Sequence, residues 1–195
     1  MFPENPNLKA YLQNVINENS LPEEIQMILD AFSLLKLAKN EYLVRENSIC
    51  NYFCFIESGI LQHAISVSGV EKTTYLALKN SCTSALYSFR HKIASRKNIK
   101  AISDCELWIL TLADFEILLN TNKAFHTFYY NLIENQIYKI DEYRIDLITL
   151  SPEERYQKLI ENDIALPQKV PLQYLSSLLG ISDRHLSRIR KNTLK

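Results

Sequence analysis

Residues 171–191 read PLQYLSSLLGISDRHLSRIRK, and this stretch decides how the rest of the chain is read. Leu175, Leu178 and Leu179 recur at helical spacing and give a first helix one buried face. Gly180 follows and supplies the left-handed backbone conformation that ends a helix. Ile181 plugs the turn, and Ser182 is a natural N-cap for a second helix. In that helix Leu186 and Ile189 point to a core, while Arg184, Ser187, Arg188 and Lys191 share the opposite face at i, i+3, i+4 and i+7. A helix, a glycine-centred turn and a basic helix make a helix-turn-helix. The second helix would offer its N-terminal residues to base edges in a DNA major groove. Arginine suits guanine, and serine and lysine suit phosphate. The candidate DNA-binding residues are Ser182, Asp183, Arg184, His185, Ser187, Arg188 and Lys191.

Charge placement agrees with that reading. The 195-residue chain has 22 basic and 22 acidic side chains, so its formal net charge is zero. Residues 180–195 nevertheless carry five basic side chains against the single acid Asp183, which leaves −4 on the remainder. A basic end on an acidic body fits a modular nucleic-acid binder; a merely solvated basic tail would give the same count.

Upstream, Ser151-Pro152-Glu153-Glu154 has an N-cap serine, proline at the first helical position and a glutamate that closes a capping box, so it starts the C-terminal unit. Tyr156, Leu159 and Ile160 give that helix its buried face, and Leu166-Pro167 and Val170-Pro171 flank a connector. Before it, a long helix is expected from about Lys123 to Leu150. His126, Tyr130, Ile133, Ile137, Ile140, Arg144 and Leu147 form a heptad-like stripe on it. Phe125, Phe128, Tyr129 and Leu132 form a second apolar face at its start. Such a helix needs two partners, a β unit and a second copy of itself, unless both faces bury within one chain. Thr111-Leu112-Ala113-Asp114 is expected to cap a short helix.

Residues 42–110 have strand character. Tyr52–Ile56 is a short apolar run ending at Glu57-Ser58-Gly59, Ile60–Val67 follows, Ser68-Gly69 signals a turn, and Thr73–Leu78 comes after it. Ala101-Ile102 and Glu106–Leu110 are further strands, giving an antiparallel β unit. Residues 7–34 read as helical, with Ser20-Leu21-Pro22-Glu23 as a capping box and Ile25, Ile28, Leu29 and Phe32 at helical spacing.

Hydrophobic residues make up 47% and charged residues 23%, which supports a packed core rather than disorder. With only 3 glycines, glycine-rich phosphate loops are excluded. No segment approaches the ~20 apolar residues of a membrane helix, and the N-terminus lacks the pattern of a secretory signal. Cys50, Cys54, Cys82 and Cys105 read as free thiols in a reducing cytoplasm, not as iron–sulfur ligands. His63, His91 and His126 read as structural or solvated rather than as haem ligands. Four histidines without ligand spacing, and no P-loop or nucleophile elbow, argue against an enzyme and predict no cofactor and no metal.

Taken together these motifs resemble the Crp/Fnr family, the relatives of the cyclic-AMP receptor protein and the fumarate-nitrate reductase regulators. Phe55-Ile56-Glu57-Ser58-Gly59 resembles the family's strand-then-glycine entry to its β-roll. Leu178–Ser182 followed by Leu186-Ser187-Arg188-Ile189 resembles its helix-turn-helix signature, and Arg155-Tyr156 with the C-terminal stretch is similar to a branch common in Bacteroidetes. The resemblance implies an α+β chain: a cyclic-nucleotide-binding-like β-roll or jelly roll at 1–118, a dimerisation helix at 119–150, and a helix-turn-helix domain with a truncated wing at 151–195. It further implies a homodimer on a palindromic double-stranded operator, controlled by an effector through the β-roll, and a contact with RNA polymerase. The alternative is a protein-interaction module that keeps the fold without binding DNA.

Three departures qualify what the resemblance implies. Members that bind cyclic nucleotides carry Gly-Glu-Leu and then Arg followed by Ser or Thr; here Ser81–Phe89 and Ser95–Asn98 lack that cassette, so cyclic-nucleotide binding is not expected. Tyr87, Phe89, Arg90 and Arg96 are the candidate effector-pocket residues, from their place in this degenerate region. The start of the second helix has Asp183-Arg184 where the family often has a glutamate, so its base preference should differ. Finally, Lys195 follows soon after that helix, so the wing is expected to be incomplete.

Overall fold

The computed structural model describes residues 5–17, 20–162 and 166–193. The expected early end of the wing, at Lys195, lies outside them. Two short helices come first, α1 (Pro6–Ile16) and α2 (Pro22–Ala31). The helical region expected over residues 7–34 is not continuous: it is two helices, as a capping box at residues 20–23 implies, and it gives way to a strand at Ser33. Asn17 adopts φ 51°, ψ 23° and ends α1, with its N–H donating to the Gln13 carbonyl at 3.1 Å. Nor is Ser20 the cap of α2. The Glu24 carboxylate accepts from the Leu21 N–H at 3.4 Å, which puts the helix start one residue later.

Among the described residues eight strands follow: β1 (Ser33–Leu37), β2 (Tyr42–Val44), β3 (Tyr52–Ser58), β4 (Leu61–Val67), β5 (Val70–Ala77), β6 (Cys82–Thr83), β7 (Asn98–Ala101) and β8 (Cys105–Thr111). A six-residue helix, α3 (Leu86–His91), interrupts them after β6. The strands form two antiparallel four-stranded sheets, ordered β1-β8-β3-β6 and β2-β7-β4-β5. This is the expected β-roll. The strands missed from sequence alone are β1, β2 and β6. β2 and β6 are three and two residues long, too short to show a period, and β1 is held by pairing Ser33–Leu37 against Ile109–Cys105, a partner some seventy residues away.

β3 is buried from Phe53 to Ile56 because it is covered on both sides. Phe53 and Phe55 meet helices, with ring centroids 5.4 Å from Phe115 and 5.2 Å from Tyr11. Cys54 pairs in register with Thr83 and donates its thiol to that residue's carbonyl at 3.2 Å. A strand dry on both faces reads as a continuous apolar run, which is how Tyr52–Ile56 stands out in the sequence.

Helix α4 (Leu112–Thr121) starts as expected at Thr111, whose Oγ1 accepts from the Asp114 N–H at 3.2 Å. The long helix α5 (Lys123–Thr149) starts at Asn122. That side chain is 3% exposed and fully used: it accepts from the Phe125 N–H at 2.8 Å and donates to the Glu24 carbonyl at 2.9 Å. Further along, Asn131 donates to the Val15 carbonyl at 2.9 Å. Through these bonds α1 and α2 clamp the first half of α5, and Phe125 and Phe128 are wholly buried beneath them. The second half of α5 projects beyond the clamp.

Helices α6 (Pro152–Asn162), α7 (Leu166–Lys169), α8 (Leu172–Leu179) and α9 (Asp183–Thr193) form the C-terminal unit. The capping box at α6 is complete: Glu154 Oε2 accepts from the Ser151 N–H and hydroxyl, both at 2.8 Å, and Ser151 Oγ accepts from the Glu154 N–H at 3.3 Å.

Gly59 joins β3 to β4 at φ +89°. A Cβ there would lie against the Asp104 carbonyl oxygen and 2.8 Å from Cys105 Cα. Gly59→Ala should therefore lower the unfolding free energy by about 2–4 kcal/mol, since backbone strain and overlap add. Urea denaturation of the two proteins checks this, and equal midpoints would show that the turn relaxes freely.

Candidate functional site

The turn between α8 and α9 forms as its residues dictate. Gly180 sits at φ 71°, ψ 26°, and the Ile181 N–H donates back to the Ser176 carbonyl at 3.0 Å. Nothing lies within 4 Å of a Cβ built on Gly180, so glycine is needed there for its conformation and not for space. Ser182 caps α9: its Oγ accepts from the His185 N–H at 3.2 Å. Leu186 and Ile189 are buried and face Leu175, Leu179 and Tyr156 in one apolar cluster.

The seven candidate DNA-binding residues separate into two groups. Arg184, Ser187, Arg188 and Lys191 are exposed along one side of α9. Ser182, Asp183 and His185 hold the helix in place. The Ser176 hydroxyl donates to the Asp183 carboxylate, which ties α8 to the first turn of α9. His185 Nε2 lies 3.0 Å from Glu153 Oε1, which ties α9 to α6. That hydrogen bond, with the Arg188 guanidinium adding to it, holds the Glu153 carboxyl below its ordinary pKa. Arg190 leaves the basic face altogether, donating to the Pro167 carbonyl at 3.4 Å. The exposed face thus carries three cations and a hydroxyl on a helix anchored at its N-cap, first turn and buried side.

The four candidate effector residues point into different surroundings. Phe89 is wholly buried, with its ring edge-on to Phe115 at 5.4 Å. Tyr87 is 70% exposed and stacks near His91 at 4.7 Å. The Arg90 guanidinium lies over the Phe115 ring at 5.0 Å and reaches Glu116 at 3.9 Å. Arg96 is exposed on the loop before β7.

Polar groups that the motifs do not single out lie inside the roll. His63 is 2% exposed; its Nε2 is 2.8 Å from Thr83 Oγ1, its ring meets Tyr75 edge-on at 5.3 Å, and its Nδ1 has no partner. Burial pushes its pKa well below the usual histidine value, and the Lys97 ammonium adds to that. Strand alternation was the available signal, because Leu61, His63 and Ile65 share one face of β4. Among the described residues no three His, Cys, Asp or Glu side chains gather as a metal site, and no helix is long and apolar enough to cross a membrane. All four cysteines are free.

A two-sheet roll, a long helix and a helix-turn-helix in this order are the architecture of the Crp/Fnr transcription regulators, and solved structures of similar fold include such regulators. FixK2 from Bradyrhizobium japonicum is 15% identical with a TM-score of 0.70 over 83% of each chain. A candidate Crp/Fnr-family regulator from Eubacterium rectale is 15% identical with a TM-score of 0.68, over 94% of this chain and 87% of that one. The c-di-GMP-responsive global regulator CLP of Xanthomonas campestris is 13% identical with a TM-score of 0.67, over 88% and 91%. At these identities the likeness is one of fold. No curated protein matches the sequence. Residues 34–122 match the model of the cyclic nucleotide-binding domain family, and the chain as a whole has a Crp/Fnr-type fold.

The depressed pKa of His63 has a measurable consequence. The folded chain keeps His63 neutral where the unfolded chain, with its ordinary value of 6.5, takes up a proton. Stability contributed by the neutral ring is present above about pH 6.5 and is lost as pH falls below it. Tm should drop between about pH 7 and 5.5, and His63→Gln should flatten that slope. An unaltered slope would show that other groups govern it.

Proposed function

We propose that this protein is a sequence-specific DNA-binding transcription regulator of the cytoplasm that acts as a homodimer and is controlled by an effector through its β-roll. The observation that carries the reading is the exposed face of α9. Arg184, Ser187, Arg188 and Lys191 stand on one side of a helix whose other side and first turn are fixed by Leu186, Ile189, Ser182, Asp183 and His185. A rigid helix with a free basic face can enter a major groove, with arginine reading guanine and lysine reaching phosphate. The solved structures of like fold include regulators, which supports the same reading.

The open face of α5 supports the dimer. Tyr130, Ile137, Ile140 and Leu147 are each at least 46% exposed, and Ile148 is 86% exposed, on a helix of which only the start, at Ala124, Phe125 and Phe128, is buried in the same chain. An apolar stripe at heptad spacing is satisfied by a second copy of the helix. The two α9 helices would then address half-sites about 34–36 Å apart, one turn of DNA. The effector is unidentified, and a cyclic nucleotide is not the one proposed, because Ser81–Phe89 and Ser95–Asn98 lack the phosphate cassette. Its binding would shift the population of helix-pair geometries that match that spacing.

Purified protein should enrich a palindromic sequence from genomic fragments, with affinity falling steeply as salt rises. Arg188→Ala should cost about 1–3 kcal/mol and relax the preference at one base position, while Lys191→Ala should weaken all sequences alike and lower the salt slope by about one. Absence of any enrichment, with host small-molecule extract present, would favour an interaction module. Replacing Ile137 and Ile140 together by Asp should convert a dimer to a monomer in sedimentation; a wild-type monomer, or an unaltered dimer, would remove α5 as the interface.

A further inference from the structure

The DNA-binding unit is seated on the sensor sheet through one hydrogen-bonded contact that the long helix does not supply. β5 is the edge strand of its sheet. Its register against β4 slips between His63 and Ala64, which face Tyr75 and Thr73, so Thr74 is the additional residue of a bulge. There the Thr73 N–H donates to Ser177 Oγ of α8 at 2.9 Å. Gln62 Nε2 braces the site by donating to Thr73 Oγ1 at 2.8 Å, and Gln62 and Thr73 are only 2% and 6% exposed. Apolar residues surround the contact: Ile60, Leu76 and Ile102 of the roll share one cluster with Leu175 and Leu179 of α8. On the next residue of α8, the Leu178 carbonyl accepts from the Tyr143 hydroxyl of α5 at 3.2 Å. Helix α8 is therefore gripped on two sides, by β5 at Ser177 and by α5 at Leu178.

We infer that Ser177 and Thr73 are positioning residues for DNA binding, setting the tilt of α9 so that a dimer presents its two basic faces at one fixed spacing. The inference rests on the regulator reading above. Helix α9 is tied to α8 through the Gly180 turn and the Ser176–Asp183 bond, so the seating of α8 on β5 is the seating of α9. A loosely seated unit still meets one half-site as well as before. It meets the second half-site less often, because only part of its population has the right spacing. Ser177 lies on α8, outside the exposed face of α9 that would meet DNA, so its influence is through geometry. The same hairpin carries His63 inside the roll, its ring edge-on to the partly exposed Tyr75, and Gln62 and Thr73 towards α8. Movement inside the roll thus has a path to α8 that does not run through α5.

The test compares full-length wild type, Ser177→Ala and Ser177→Thr on the enriched operator and on the same duplex with one half-site scrambled. Ser177→Ala should bind the intact operator about five- to tenfold more weakly, the size of one lost hydrogen bond. It should bind the single half-site within about twofold of wild type, and Ser177→Thr, which keeps the hydroxyl, should recover the intact operator. Equal losses on both duplexes would mean that Ser177 only stabilises the domain, and no loss on either would mean that the contact positions nothing; both overturn the inference. Amide hydrogen exchange without DNA gives a separate check. The Thr73 amide should be protected in wild type and exchange at least tenfold faster in Ser177→Ala, and equal rates overturn the inference. Wild-type protein that binds neither duplex overturns the regulator reading itself, and the positioning role with it.

Discussion

Phe115 lies among four aromatic rings, and the arrangement of the chain depends on that packing. Phe53, Phe89, Phe125 and Tyr129 surround it with centroid separations of 5.0–5.4 Å, three of the four close to perpendicular. These rings come from β3, α3 and α5, so one residue of α4 joins the roll to the long helix. Edge-to-face pairs add to the burial of each ring and favour a defined geometry over a loose apolar contact. With α5 fixed at its base, the helix extends about 1.5 Å per residue to the C-terminal unit. Small changes at the base are therefore magnified along it.

The rest of the architecture follows from what that helix leaves uncovered. Its first half is roofed by α1 and α2, through Asn122 and Asn131 as well as the phenylalanines. Its second half touches the C-terminal unit at Tyr143–Leu178 and in the 2.7 Å Lys158–Asp146 ion pair, and otherwise presents isoleucines and tyrosines to solvent. Exposed apolar surface on that scale, running along a single helix, is what the proposed pairing with a second copy would cover. The C-terminal unit is not a free appendage either, because its core continues into Ile60, Leu76 and Ile102 of the roll.

Much of this was legible in local sequence. The bonds at Ser151, Thr111, Ser182 and Gly180 are short-range, and each is written in residues within three or four positions of one another. The apolar face at the start of α5 was legible because periodicity records burial, and Phe125 and Phe128 are wholly buried. Where the sequence was read wrongly, a distant partner decided. Residues 33–37 have helical neighbours yet form a strand, because β8 offers them an open edge. Phe89 sits near arginines in a region that resembles a ligand cassette, yet it fills the aromatic core; whether a side chain points to a pocket or to a core is invisible in sequence when both are apolar.

The sequence by itself determined the helix-turn-helix, the basic face of its second helix, the capped start of the C-terminal unit and the apolar face at the start of the long helix. Hydrogen bonds and side-chain periods within a few residues specify all of these. Tertiary structure alone decided which polar groups of α9 are spent on holding it, since Asp183 and His185 look like their neighbours until Ser176 and Glu153 are placed beside them. It alone buried His63 between the sheets and brought Thr73 to Ser177, 104 positions away along the chain. Contacts of that separation arise only when the sheets close and the helices dock, and no local pattern encodes them.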